Sequence, residues 1–269
     1  MDVPRSAGFF TCLLMAGAVA AAPAPAPART IRLAAEDWPP FITASLAHDG
    51  ESGNFTGTVL ARAGYALQVD YFPWKRTMQL GLRSPRYAGF MAVWRTAERE
   101  KLCHFSSPIG NTLTVLAYLK EAPLKAGSLA ELKDTRIGTV SGYSNGEQFD
   151  AMVRRGELRT DEGVSDIVNL KKLLSRRFSV IVIEKHVLRQ LMLGPDFSKA
   201  DRERVALAEN FFSERSVHIC FKRNAEGQAQ QKMFNAAART VDMARLERDY
   251  WKKIDREGGA GSEAGATPP

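Results

Sequence analysis

The residues with the clearest chemical potential lie in Gly142-Tyr143-Ser144-Asn145-Gly146, a G-x-S-x-G pattern. Between a strand and a helix this pattern can form a nucleophile elbow, with Ser144 attacking an acyl group and a later acid and histidine completing the set. His186 and His218 are available downstream, but no His-Gly-Gly-type oxyanion segment lies upstream. The simpler chemistry is electrostatic. A Gly-Tyr-Ser-Asn turn at a helix N-terminus offers free backbone N–H groups and a hydroxyl to an anion such as a carboxylate. Arg99, in Arg95-Thr96-Ala97-Glu98-Arg99, could grip a carboxylate through two parallel hydrogen bonds, or pair on the surface with Glu98 or Glu100. Glu184 ends an apolar run, where sites concentrate in α/β folds, and also opens a helix, where the dipole favours an acid. His48, His104, His186 and His218 have no short ligand spacing, so no metal is expected, and no cofactor motif is present.

These residues need elements to hold them. Ile31–Ala35 reads as a first strand, broken by Glu36-Asp37-Trp38-Pro39-Pro40. A helix over 57–66 and a strand over 67–72 follow. Pro73 then opens a helix at Trp74–Leu82, because proline is tolerated in a first turn. Phe90–Trp94, Leu113–Leu119, Arg136–Val140, Phe178–Ile183 and Val217–Phe221 read as strands. Helices are expected over 128–132, from the Gly142 turn through Val153, over 166–174 and 184–192, and as one or two closing helices over 225–256. Strands and helices alternate, which implies an α/β fold with largely parallel sheets. Ligands collect beyond the carboxyl ends of such strands. Four turns of that kind carry polar or aromatic residues: Glu36-Asp37-Trp38, Pro73-Trp74-Lys75-Arg76, Gly142-Tyr143-Ser144-Asn145 and Glu184-Lys185.

The N-terminus reads as a secretory signal peptide over residues 1–20, with Arg5, an apolar run from Gly8 and the small-x-small Ala18-Val19-Ala20. The run is too short to span a bilayer, which takes about 20 residues. An Ala/Pro spacer (21–28) follows, and a Gly/Ala/Pro-rich tail (257–269) is expected to be disordered. The net charge of +7 comes from scattered basic residues with no aromatic-interleaved stripe, so no nucleic-acid partner is expected. Export would place Cys103 and Cys220 in an oxidising compartment, either paired or as two buried thiols.

Five segments, taken in order, resemble the extracellular solute-binding proteins of family 3, which serve polar amino acid uptake, and the related ligand-binding lobes of ionotropic glutamate receptors. They are Asp37-Trp38-Pro39-Pro40-Phe41; Thr96-Ala97-Glu98-Arg99-Glu100-Lys101 with Phe105-Ser106-Ser107-Pro108-Ile109; Ile137-Gly138-Thr139-Val140-Ser141-Gly142-Tyr143-Ser144; Ser179-Val180-Ile181-Val182-Ile183-Glu184; and His218-Ile219-Cys220-Phe221-Lys222-Arg223. Phe72-Pro73-Trp74-Lys75-Arg76 is similar to a less characterised branch of that family. The resemblance implies a two-lobed, type II periplasmic-binding-protein-like fold, with two mostly parallel sheets joined by two crossover strands. Residues 29–110 and 214–256 would form the first lobe and 111–213 the second.

The same resemblance assigns a ligand carboxylate to Arg99, helped by Ser144 and the backbone at the Gly142-Tyr143 turn. It assigns a ligand amine to Glu184, makes Trp38 an aromatic wall, and puts Trp74 and Arg76 near the rim. Where amino acid binders often carry a small hydroxyl residue, this chain has Trp94, with Ala92 two residues earlier, and Ala88 stands where an Asp is usual. Trp94 and Trp74 could therefore stack on a ring or an aliphatic face of a different ligand. If the crossing segments run antiparallel side by side, Cys103 and Cys220 fall nearly opposite each other, and a disulfide in the first lobe is expected. The implied role is a monomeric periplasmic protein, not an enzyme, that captures a small polar, carboxylate-bearing, amino acid-like solute and presents it to an inner-membrane ABC permease. The alternatives are a lyase like periplasmic cyclohexadienyl dehydratases, with Glu184 as general acid, or a sensor without a transporter.

Overall fold

The second half of the first strand, β1 (Arg29–Ala35), is buried on both faces. That burial suits a strand inside a sheet covered on both sides. In the computed structural model, which describes residues 29–263, β1 pairs in parallel with β2 (Tyr65–Tyr71) on one side and β3 (Gly89–Trp94) on the other. The helices α1 (Gly50–Arg62) and α2 (Trp74–Arg83) make the two connections. Pro73 stands at the N-cap of α2, as its fixed φ allows. Helix α1 starts seven residues before the expected 57 and ends before 66. Its first turn is rich in Gly and Ser, poor helix formers, yet Gly50, Glu51, Ser52 and Gly53 are all buried, so packing overrides propensity there.

After the short helix α3 (Ala97–Glu100) come β4 (Cys103–Phe105) and β5 (Gly110–Thr112), then β6 (Thr114–Leu119), which opens a second sheet. That sheet gathers β7 (Arg136–Val140), β8 (Arg159–Gly163), β9 (Val180–Glu184) and β10 (Val205–Ala208) in the order β10-β6-β9-β7-β8. Helices α4 (Glu147–Arg154), α5 (Asp166–Leu174), α6 (Lys185–Leu193) and α7 (Lys199–Arg204) belong to the same stretch. The chain returns through β11 (Arg215–Lys222), which enters the first sheet to give the order β2-β1-β3-β11-β4, with β5 also on β11. Helices α8 (Ala225–Ala238) and α9 (Met243–Glu263) close the chain.

The two sheets are mixed rather than mostly parallel. The stretches β2-β1-β3 and β9-β7-β8 are parallel, but β6 and β11 run antiparallel to all their neighbours. The cause is that these two strands carry the chain between the sheets in opposite directions, and they flank the crossing, where Thr112 pairs with Arg215. Strands β4, β5, β8 and β10 had no expectation in the sequence. They are three to five residues long, and β8 is the polar edge segment Arg159-Thr160-Asp161-Glu162-Gly163.

Cys103 and Cys220 form a disulfide between the neighbouring strands β4 and β11, with 5.4 Å between their Cα atoms. Next to it, Gly89 of β3 lies against β11 so closely that a Cβ would stand 2.0 Å from the Cys220 carbonyl oxygen. Helix α9 ties the periphery together. Tyr250 Oη donates to the Pro40 carbonyl at 2.7 Å, Trp251 Nε1 donates to Glu51 at 3.0 Å, and the Trp251 ring lies 4.1 Å from that of His186. The helix runs to Glu263, into the segment expected to be a tail. The expected signal peptide and spacer, and residues 264–269, lie outside the described residues.

Candidate functional site

The facing ends of the two lobes meet around four aromatic side chains. Trp38 follows β1 in a tight loop closed by its own N–H to the Ile42 carbonyl at 2.7 Å. Trp74 opens α2, and Trp94 ends β3. Tyr143 comes from the second lobe, in the turn between β7 and α4. Gly142 makes that turn with a φ of 83°, and a Cβ there would meet the Trp74 ring at 3.3 Å. The rings join edge to face: Trp38 to Trp94 at 5.5 Å, Trp94 to Tyr143 at 5.9 Å and Tyr143 to Trp74 at 5.6 Å. Edge-to-face contact places the positive rim of one ring on the negative face of the next.

The rings enclose a cavity of about 310 Å³ measured out to its mouth, also lined by Glu36 and Met91. The closed interior has space for only a water-sized guest. A wider, open cleft of about 1450 Å³, measured in the same way, adjoins Trp94 and is lined by Ser144, Asp150, Arg154, Arg215 and His218 among others.

Polar bonds cross between the lobes at this place. Trp74 Nε1 donates to the Gly142 carbonyl at 2.8 Å, and Arg99 Nη2 donates to the same oxygen at 3.2 Å. Trp38 Nε1 donates to Asp166 Oδ2 at 3.2 Å. Tyr143 Oη donates to Glu36 Oε2 at 2.6 Å and lies 3.4 Å from Asp166 Oδ2. Burial pushes the Glu36 carboxyl up to about 8 and the Asp166 carboxyl up to about 7. The two arginines near the cage are lowered to about 10 by burial. Arg99 lies 5.2 Å from the Trp74 ring centre, its Nη1 on the Trp94 carbonyl. Arg215 stacks on Trp94 at 4.3 Å and donates to Ser144 O and Thr114 Oγ1. Among the described residues neither arginine makes an ion pair with a carboxylate.

The residues singled out from sequence are thus distributed unevenly. Trp38, Trp74, Trp94 and Tyr143 come together in one cage, with Arg99 against it. Ser144 is buried at the adjoining cleft, where its hydroxyl donates to Asp150 Oδ2 at 2.6 Å. The other oxygen of Asp150 accepts from Asn145 N at 2.9 Å. An internal carboxylate therefore occupies the anion-seeking N-terminus of α4. Ser144 has Asp150 as its partner, while His218 is bonded to Ser216 and the Ser106 carbonyl.

Glu184 is 2% exposed and caps α6. Its Oε2 accepts from His186 N and Val187 N at 2.6 and 2.8 Å, and its Oε1 from Leu113 N at 3.1 Å. Its acceptors are thus directed at backbone, with burial raising its carboxyl to about 7. Arg76 is exposed over the Phe72 ring at 5.5 Å and does not line the cavity.

Three residues of the site had little or no signal. Glu36 belonged to a turn marked as polar, but nothing set it apart from Asp37. Asp166 read only as a helix start, and Arg215 as nothing. Each acts across 70 residues or more, from Ser144 to Arg215 up to Trp38 to Asp166 at a separation of 128, a distance that local patterning does not reach.

No protein-family model matches the chain, and no curated protein matches it. Solved structures do. An ancestral arginine-binding protein bound to arginine superposes with a TM-score of 0.68 at 15% identity, over 83% of this chain and 97% of that one. The GluR0 ligand-binding core from Nostoc punctiforme, in complex with L-glutamate, gives 0.66 at 17% identity, over 83% and 98%. The amino acid ABC transporter substrate-binding protein AbpA from Streptococcus pneumoniae, bound to L-arginine, gives 0.64 at 15% identity, over 83% and 94%. The fold is that of the two-lobed binding proteins. At these identities the likeness concerns architecture, and the residues of the cleft must speak for the ligand.

Proposed function

We propose that this protein is an exported solute-binding protein. In this reading it acts as a monomer in the periplasm, captures a small polar, carboxylate-bearing, amino acid-like solute between its lobes, and delivers it to an inner-membrane ABC permease. The observation that carries the reading is the cage itself, where the two lobes meet through aromatic rings and polar bonds, beside a small apolar contact made by Val187 and Leu191 of α6. An interface of that kind can open and close by hinge bending, with the closed form selected by a ligand that touches both lobes. The solved relatives include proteins bound to arginine and to L-glutamate, which supports an amino acid-like ligand.

Arg99 is the residue for the carboxylate. It already spans the lobes through Trp94 O and Gly142 O. A guanidinium has five N–H donors, so it keeps others for a ligand. The test is calorimetry after a thermal-shift screen of amino acids, organic acids, polyamines and sugars, since a specific binder raises the melting temperature by mass action. Arg99→Ala is expected to weaken binding about 100-fold, about 3 kcal/mol, with its melting temperature near that of the parent chain. Unchanged affinity in the variant would refute the assignment of Arg99, and no hit across the screen would refute the function.

A further inference from the structure

One hydroxyl stands between two acids where the lobes meet. Tyr143 Oη donates to Glu36 Oε2 at 2.6 Å, with Asp166 Oδ2 at 3.4 Å. A phenol carries a single proton, so it can donate to only one of them at a time. Asp166 is already supplied from the first lobe by Trp38 Nε1. Glu36 is the acid that lines the cavity, while Asp166 is buried and not part of its lining. Neither has a cationic partner among the described residues: the nearby guanidiniums of Arg99 and Arg215 bond to carbonyl and hydroxyl oxygens and lie on the faces of Trp74 and Trp94, not on either acid. An acid in a box of aromatic rings is an environment that attracts a cation, through the carboxylate and through the negative ring faces together.

We propose that the cleft holds the cationic head of an organic ammonium or guanidinium ligand against Glu36, within the cage of Trp38, Trp74, Trp94 and Tyr143, the Tyr143 hydroxyl turning from Glu36 to Asp166 as the ligand enters. This rests on the binding-protein reading and names its ligand class. An anionic or neutral head would leave Glu36 protonated and form no ion pair with it, whereas a cation favours its ionised form. The closed cavity is too small for a methylated head, so entry requires the lobes to part. Tyr143 then keeps an acceptor, because Asp166 stands ready behind it.

Binding is coupled to a proton. Burial holds Glu36 protonated at neutral pH, with its carboxyl up to about 8. The charged groups facing it are Asp37 on its own turn and Asp166 from α5, both of which raise it further, while the hydrogen bonds from Tyr143 and the Trp74 backbone lower it. Glu184 faces Asp166 from β9, and Arg99 faces Tyr143 from α3. A cation on Glu36 favours the ionised form, so binding at about pH 7 releases a proton and tightens as pH rises toward the Glu36 value.

The experiment is calorimetry on the full chain with two matched pairs, choline against 3,3-dimethylbutanol and pentylamine against 1-pentanol, in buffers of different ionisation enthalpy. The expected result is that at least one cation binds about 10-fold or more tightly than its neutral partner, with proton release. Glu36→Gln is expected to abolish both the preference and the release while melting like the parent chain. Asp166→Asn, which keeps the shape of the acid, provides a second variant and is expected to weaken the cation without removing the release. Equal affinities within both pairs, or binding confined to anionic or neutral solutes, would overturn the cation inference and leave the binding-protein reading standing. Binding of no solute in the wider screen would overturn both.

Discussion

Reduction of the Cys103–Cys220 disulfide is expected to cost the protein a large part of its stability. The bond links residues 117 apart in sequence, and the loop it closes contains the whole second sheet, from Thr114 to Ala208. In the chain-entropy description, a crosslink over 117 residues removes about 4.9 kcal/mol of freedom from the unfolded chain at 25 °C. The native side should change little, because both cysteines are buried in paired strands, 3% and 0% exposed, and the thiols would stay among the same neighbours. Urea unfolding of the oxidised and reduced chains, followed by the fluorescence of the cage tryptophans and by circular dichroism, measures the difference. With m of about 2–3 kcal/mol per molar, the midpoint should fall by about 2 M on reduction. The slope should also rise, because the open chain exposes more surface when unfolded. Coincident transitions by the two probes would license the two-state treatment. A difference below about 1 kcal/mol would refute the reasoning, since it would mean that the second lobe already restricts the unfolded chain or that the bond strains the folded one.

Two further outcomes are expected. Stability should fall from about pH 5.5 to about pH 8.5, as read by melting temperature. Glu36, Glu51, Asp166 and Glu184 all have carboxyls raised by burial, to about 8, 8, 7 and 7. Groups raised in this way favour the folded state fully below their unfolded values, about 4.5 for the glutamates and about 3.8 for Asp166, and lose that contribution as pH climbs through their folded values. A melting temperature that rises over this range would contradict the burial of these acids. Gly89→Ala should prevent accumulation of folded protein or cost about 3 kcal/mol or more, because the added Cβ would fall 2.0 Å from the Cys220 carbonyl and part β3 from β11. Near-parent stability of this variant in a urea melt would show that the two strands are not so closely joined.

Local chemistry determined a good part of this protein. Apolar runs bounded by polar turns set β3, β7 and β9, and Pro73 set the start of α2. The end of a buried strand marked Glu184, and its local reading as the acid at a helix start describes what the side chain does in the structure, bonding to His186 N and Val187 N. Trp38, Trp74, Trp94 and Tyr143 were recognisable as aromatic residues at or near strand ends, where periodicity and turn chemistry act over a few residues.

Which of these side chains meet was decided by the tertiary structure. Strand β11 slots between β3 and β4 from more than a hundred residues away and makes the first sheet mixed. Asp150 fills the helix N-terminus that the sequence offered to a ligand, and Arg76 turns outward onto Phe72. Glu36 and Asp166, ordinary acids in the sequence, become a pair only because the two lobes bring them to either side of one phenol. Backbone preference is a property of neighbours along the chain, whereas burial, charge coupling and cavity shape are properties of neighbours in space, and the cleft is built from the latter.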